Sequence, residues 1–189
     1  VVRPNRAPKT YQFYANVVRL YIEPELGRTS LRKLTPFQVS SLLRKKEREG
    51  LAPRTVYHIR SVLRCALNQA VKWQILTQNA AALVEAPKQE AHEVRPLSHG
   101  EVRKVLDAAE SHRLAALFRV AIMMGLRQGE LLGLRWCDVD LDARSLRVTQ
   151  VLQRVGGQII FKPPKTQKSR RTLCIPESVA DSLRQHQDR

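Results

Sequence analysis

Apolar positions recur at helical spacing along residues 1–86; beyond residue 97 a helical pattern gives way to alternation. Thr10 can cap a first helix, in which Tyr14, Val17, Val18 and Tyr21 fall at i, i+3, i+4 and i+7, with Pro24 and Gly27 closing it. Thr35-Pro36 reads as an N-cap with proline at the first helical position. Val39, Leu42 and Leu43 then make one face, and Gly50 ends the segment. A longer helix begins near Pro53 and carries Val56, Ile59, Leu63, Ala66, Leu67 and Ala70 as a continuous stripe.

Pro87 to Pro96 is polar, holds two prolines and has no apolar period, so it reads as a linker between a module at 1–86 and one at 97–189. The second module opens with Ser98-His99-Gly100-Glu101, a capping-box pattern, followed by Val102, Val105, Leu106 and Ala109 on one face. Leu114 to Met124 is almost wholly apolar and predicts a central buried helix ending at Gly125; a shorter helix at 128–134 follows. Alternation then predicts a strand over 145–152, a hairpin turn at Gly156-Gly157, a partner strand over 159–162 and a third strand over 171–175. Val179 and Leu183 belong to a last helix, which begins near Pro176. The fold class is mainly α with a small antiparallel β-sheet.

Charge changes the picture. The 189 residues carry 33 Lys+Arg against 17 Asp+Glu, a net charge of +16 and a pI near 10.6. Residues 1–86 hold 15 basic and 5 acidic residues (+10), 87–96 hold 2 and 2, and 97–189 hold 16 and 10 (+6). With 43% apolar residues spread along it, the chain can build packed cores. It has no apolar run long enough to span a membrane and no signal-peptide core, so a cytoplasmic location is expected. Cys65, Cys137 and Cys174 are odd in number and widely spaced, which fits reduced thiols. The first residue is Val, and the last helix runs to the end of the sequence, so a piece of something longer is expected. Such a positive excess points first to nucleic acid, and two tethered basic modules can surround a ligand.

The polar faces of the first module carry Arg44, Lys45, Lys46, Arg48, Arg54, Arg60, Arg64 and Lys72, and no Asp or Glu lies between Arg54 and Lys72. A solvated face would interleave carboxylates, so these residues read as phosphate-facing. The stretch with most chemistry is Met124-Gly125-Leu126-Arg127-Gln128-Gly129-Glu130-Leu131-Leu132-Gly133-Leu134-Arg135-Trp136, followed by Asp138-Val139-Asp140. A guanidinium emerging just after a glycine at the end of a buried helix is pinned by packing, and its fork matches two phosphate oxygens. Glu130 is within reach to orient it or to cap a helix. An Arg–Glu pair that merely ties two helices together is the alternative.

That stretch resembles the first conserved box of the tyrosine recombinase (phage integrase) family, TGLR-x-x-E-L-x-x-L-x-W-x-D-hydrophobic-D, with Met124 where the family often has Thr. Pro164-Lys165-Thr166-Gln167-Lys168-Ser169-Arg170-Arg171 resembles the family's β-hairpin segment, with its lysine at the turn. Thr55-Val56 and Ile22-Glu23-Pro24-Glu25-Leu26-Gly27 resemble its helical core-binding domain more loosely. The resemblance implies a core-binding domain followed by a partial α+β catalytic domain. It also implies DNA strand exchange through a 3′-phosphotyrosyl linkage on double-stranded DNA, by a protein that is monomeric alone and tetrameric on DNA. By carry-over, Arg127 would clamp the phosphate, Glu130 would support it, and Lys165 would protonate the leaving 5′-oxygen. Lys168, Arg170 and Arg171 would contact the DNA backbone or be solvated.

Covalent catalysis conserves the bond energy without ATP, and no carboxylate cluster here looks like a metal site, so no cofactor is expected. The family's later His-x-x-Arg box and nucleophilic tyrosine have no match. The four tyrosines (Tyr11, Tyr14, Tyr21 and Tyr57) all fall in the helical module, and His186-Gln187-Asp188-Arg189 sits too early, inside the last helix. A DNA-binding fragment inactive by itself is therefore expected. Two alternatives stay open: a non-catalytic DNA-binding regulator or competitor derived from an integrase, and a basic RNA-binding protein.

Overall fold

The computed structural model describes residues 7–88 and 93–188. The chain divides into two units between Glu93 and Val94, inside the polar 87–96 segment.

The first unit is helical. α1 (Pro8–Val17) starts at Ala7 with Pro8 as its first residue, so Thr10 lies inside the helix and does not cap it. The helix does not stop at Pro24. It widens into a π turn over Val18–Ile22, where the Glu23 amide reaches back five residues to the Val18 carbonyl, and continues as α2 (Glu23–Leu26). The wider turn moves the apolar stripe from i+4 to i+5. Ile22 is buried below Val17, and Val18 is exposed. α3 (Pro36–Arg48) has the expected Thr35 cap, completed as a capping box by Gln38, and Gly50 follows it with a left-handed φ of 84°. α4 (Pro53–Lys72) buries Val56, Ile59, Val62, Leu63 and Leu67 against α1 and α3. Ala66 is exposed, whereas Val62, which the stripe left out, is buried.

Two buried polar residues clip the segment after α4 onto that helix. Asn79 donates to the Arg64 carbonyl (2.9 Å) and accepts from the Ala81 amide (2.9 Å), while Arg60 Nε donates to the Val84 carbonyl at 2.7 Å. Arg60 is therefore 7% exposed and not on the basic face where its neighbours place it. Lys46 is likewise buried, between Glu25 (3.1 Å) and Glu49 (2.9 Å).

The second unit opens with α5 (His99–Ala109), capped by Ser98 and Glu101 as predicted. α6 (Ala115–Met124) ends on Gly125, whose φ of 59° closes it with a left-handed cap. α6 is not fully enclosed. Ala116 and Val120 are buried, but Phe118 and Met123 are exposed. A short α7 (Gln128–Leu131) leads to β1 (Val139–Asp140), β2 (Ser145–Val148), β3 (Val151–Val155), β4 (Gln158–Lys162), β5 (Arg171–Cys174) and α8 (Glu177–Gln187). Leu146, Ile175 and Val179 pack with Val120 and Leu126 in the core of this unit.

The strands form two antiparallel sheets. One has the order β1-β2-β5, with Leu146 opposite Leu173; the other is the β3–β4 ribbon, with Val155 opposite Gln158 and a Gly156-Gly157 turn at φ 58° and 85°. The single strand predicted over 145–152 is thus two strands. Its break follows from side-chain anchors: Thr149 Oγ1 bonds Asp138 (3.0 Å), and Gln150 Nε2 donates to the Gly133 carbonyl (2.8 Å). The ribbon then seats on α7 and the turn just after it, where glycines are required. A Cβ on Gly133 would stand 2.9 Å from the Leu152 amide nitrogen, and one on Gly129 3.0 Å from its carbonyl. Cys65, Cys137 and Cys174 are free thiols, and no helix among the described residues is long and apolar enough to cross a membrane.

Candidate anion-binding site

The site grows from the end of α6. Gly125 turns the chain, Leu126 anchors it in the core, and Arg127 emerges in extended conformation just before α7. The Arg127 side chain is 72% exposed, while that of Glu130 beneath it is 2% exposed. Glu130 does both things its spacing allowed: it accepts from the Arg127 amide (3.1 Å) and from Arg127 Nη1 (2.9 Å). It also receives a second arginine from β5. Arg171 Nη2 donates to Oε2 at 2.9 Å and Nη1 to Oε1 at 3.3 Å, a two-pronged grip across 41 positions of sequence. Burial by itself would raise the Glu130 pKa. The hydrogen bonds from Arg171 and Arg127 outweigh it and hold the carboxyl at about 2, so it is ionised at neutral pH.

A second Arg-x-x-acid pair lies in the same stretch. Arg135 Nε donates to Asp138 Oδ2 at 2.7 Å, and its Nη2 approaches Oδ1 at 3.3 Å and Thr149 Oγ1 at 3.2 Å. Asp138 is buried, and the bond from Arg135 holds its pKa below the usual aspartate value.

Arg127 and Arg171 border an open depression with Gly125, Thr166, Lys168 and Ser169. Thr166 Oγ1 and Ser169 Oγ lie 2.9 Å apart across a 3-10 turn over Gln167–Ser169, and Arg171 Nη1 donates to the Ser169 carbonyl at 3.3 Å. The arrangement suits a tetrahedral oxyanion: fixed guanidinium donors, an ammonium and hydroxyls, open to solvent. Thr166 and Ser169 were not singled out from the sequence, although the i, i+3 spacing in Lys165-Thr166-Gln167-Lys168-Ser169 carried the signal.

The remaining sequence-derived residues fare differently. Lys165 is exposed one residue before Thr166 but does not line the depression. Nor does it sit at a hairpin turn: β4 and β5, which flank its loop, belong to different sheets. Arg170 is exposed, and Arg171 is directed to Glu130 instead of outward. In the helical unit, Arg44, Arg54 and Arg64 are exposed; Lys45 is exposed too, but its ammonium lies 2.8 Å from Glu25. Arg60, buried on Val84, has no free face for a phosphate. His186 is exposed in the last turn of α8, with its ring centroid 6.2 Å from that of Trp136, and Arg189 lies outside the described residues. Among the described residues, no group of three or more His, Cys, Asp or Glu side chains could hold a metal ion.

Residues 95–188 match the phage integrase family. A tyrosine recombinase XerC-like protein of Caldanaerobacter subterraneus subsp. tengcongensis is 32% identical over 205 positions, covering 100% of this chain and 52% of that protein. The Tn1549 transposon integrase, solved with a circular intermediate DNA, superposes with a TM-score of 0.85 at 19% identity, over 97% of this chain and 60% of that one. A lambda integrase dimer bound to a COC′ core site gives 0.69 at 25% identity, over 97% and 63%. The chain belongs to the tyrosine recombinase (phage integrase) family. It spans about half the length of the XerC-like relative.

Proposed function

We propose that this chain is a DNA-binding part of a site-specific tyrosine recombinase, which integrates or exchanges DNA through a phosphotyrosyl intermediate. The observation that carries the reading is the exposed Arg127 guanidinium, held from below by a buried Glu130 and flanked by Arg171 and Lys168. Such a clamp stabilises the negative charge that gathers on the non-bridging oxygens of a phosphate under attack, without reorganising as the charge develops. In this reading Arg127 binds the phosphate, Glu130 positions it, and Lys165 supplies a proton to the leaving 5′-oxygen from the neighbouring loop. Arg44, Arg54, Arg64, Lys168 and Arg170 contact the duplex backbone. The chain's tyrosines all lie in the helical unit, and Tyr14 and Tyr21 pack against its core. Strand cleavage is accordingly assigned to a longer protein of the relatives' length, and DNA retention to this chain. It is monomeric in free solution and joins a tetramer only on DNA.

Titrating the chain with duplex DNA at several salt concentrations tests this. Affinity should fall linearly on a log–log plot by several decades between low and moderate salt, because each phosphate contact releases counterions. A flat profile, or preference for structured RNA, overturns the reading. In a version extended to the relatives' length, Arg127→Ala should abolish covalent DNA–protein product while leaving retention within about threefold.

A further inference from the structure

We propose that Arg171 is a positioning residue: by gripping both oxygens of Glu130 it leaves the Arg127 guanidinium free to bind a phosphate in the depression beside Thr166, Lys168 and Ser169. The inference rests on the reading of Arg127 as a phosphate ligand. Charge gives the first argument. Arg127 and Glu130 alone sum to zero; Arg171 restores one net positive charge, and Lys168 adds another. A neutral pair would draw no anion, however well its guanidinium was aimed.

Geometry gives the second. Glu130 takes a single side-chain nitrogen from Arg127 but two from Arg171, and the Arg171 side chain is 29% exposed against 72% for Arg127. The molecule contains its own control. Arg135 has the same i, i+3 relation to a buried carboxylate that no second cation hydrogen-bonds (Arg147 acts on it only through its charge), and Asp138 takes both its Nε (2.7 Å) and its Nη2 (3.3 Å). Without Arg171, Glu130 would close on Arg127 in the same two-pronged way and turn its donors away from the depression. Arg171 also fixes the far rim, because its Nη1 donates to the Ser169 carbonyl. It acts on the ligand through Glu130 and the loop, without needing to touch it.

The test follows the Arg127 Nε–H resonance of the full chain during titration with inorganic phosphate at constant ionic strength. Arg171→Met should weaken phosphate binding at least tenfold, with Arg171→Lys intermediate. The double variant Arg171→Met/Glu130→Gln should recover affinity to within about threefold of the parent, because a neutral amide has no charge with which to hold Arg127. Thermal melts of the same proteins supply the contrast, since a merely structural Arg171 would lower stability with no such rescue. Binding by Arg171→Met within twofold of the parent overturns the proposal. So does a double variant as weak as the single one, or a parent whose Arg127 resonance ignores phosphate. Should Arg171→Met not fold, Arg171→Lys with and without Glu130→Gln carries the same comparison. Loss of duplex binding with an intact phosphate response would refute the DNA reading and leave this one standing.

Discussion

Two arginine–carboxylate pairs with the same spacing, Arg127/Glu130 and Arg135/Asp138, stand eight residues apart and end up in different states. Both acids are buried and both arginines reach solvent. Asp138 is closed by hydrogen bonds from one arginine and one threonine, and that arginine commits two of its nitrogens, Nε and Nη2, to the carboxylate. Glu130 is closed by two arginines, so its surroundings keep a surplus positive charge and one guanidinium with open donors. The spacing alone therefore does not decide how the guanidinium is held. The partner that arrives from elsewhere in the fold does: Thr149 in one case, Arg171 in the other.

The comparison can be broken in three ways. The largest effect should come from Glu130→Ala, which leaves two guanidinium groups around an emptied, buried position and should cost about 3–5 kcal/mol in urea unfolding. Asp138→Ala strands one arginine that is half in water, and should cost about 1–3 kcal/mol. Equal losses would mean that the second arginine adds nothing. Acid comes next. Glu130 is held at about 2 against an ordinary 4.5, so its contribution is fully present above pH 4.5 and is lost as the pH falls through 2. Over that window the parent should lose on the order of 3 kcal/mol more than Glu130→Gln. Parallel pH profiles would refute a charge-held carboxylate. The smallest effect separates the arginines themselves. Arg127→Ala should shift Tm by no more than about 1 °C, because Arg171 still satisfies Glu130. Arg135→Ala should lower it clearly, because it leaves Asp138 only the Thr149 hydrogen bond and the more distant charge of Arg147.

Much of this was legible in the sequence, where local chemistry decides. The Thr35 and Ser98 caps, the Gly125 stop, the Gly156-Gly157 turn and the Arg127/Glu130 pair all depend on residues within a few positions of one another. What could not be read depends on distant partners. Arg60 looks like a basic-face residue until Val84, 24 positions on, takes its Nε. The successive polar residues Thr149 and Gln150 interrupt the alternation, but where the chain goes next is set by Asp138 and Gly133, which hold their side chains. Arg171 read as one more cation in a basic run because its partner lies 41 residues upstream. The π turn escaped for another reason: a helix that gains one residue per turn keeps its composition and changes only which side chain faces inward.

The path from β4 to β5 crosses from the two-stranded ribbon to the three-stranded sheet, so the loop bearing Lys165 hangs between two supports of unequal strength. Its later end is riveted through Arg171 to the centre of the unit. Its earlier end leaves a pair of strands that would be marginal in isolation and that rests on α7 and the turn after it through the Gly129 and Gly133 contacts. Fraying of that pair would let go of the lysine from one side only, so solvent should reach the amides of Ile159 and Phe161 well before those of Leu146 and Leu173.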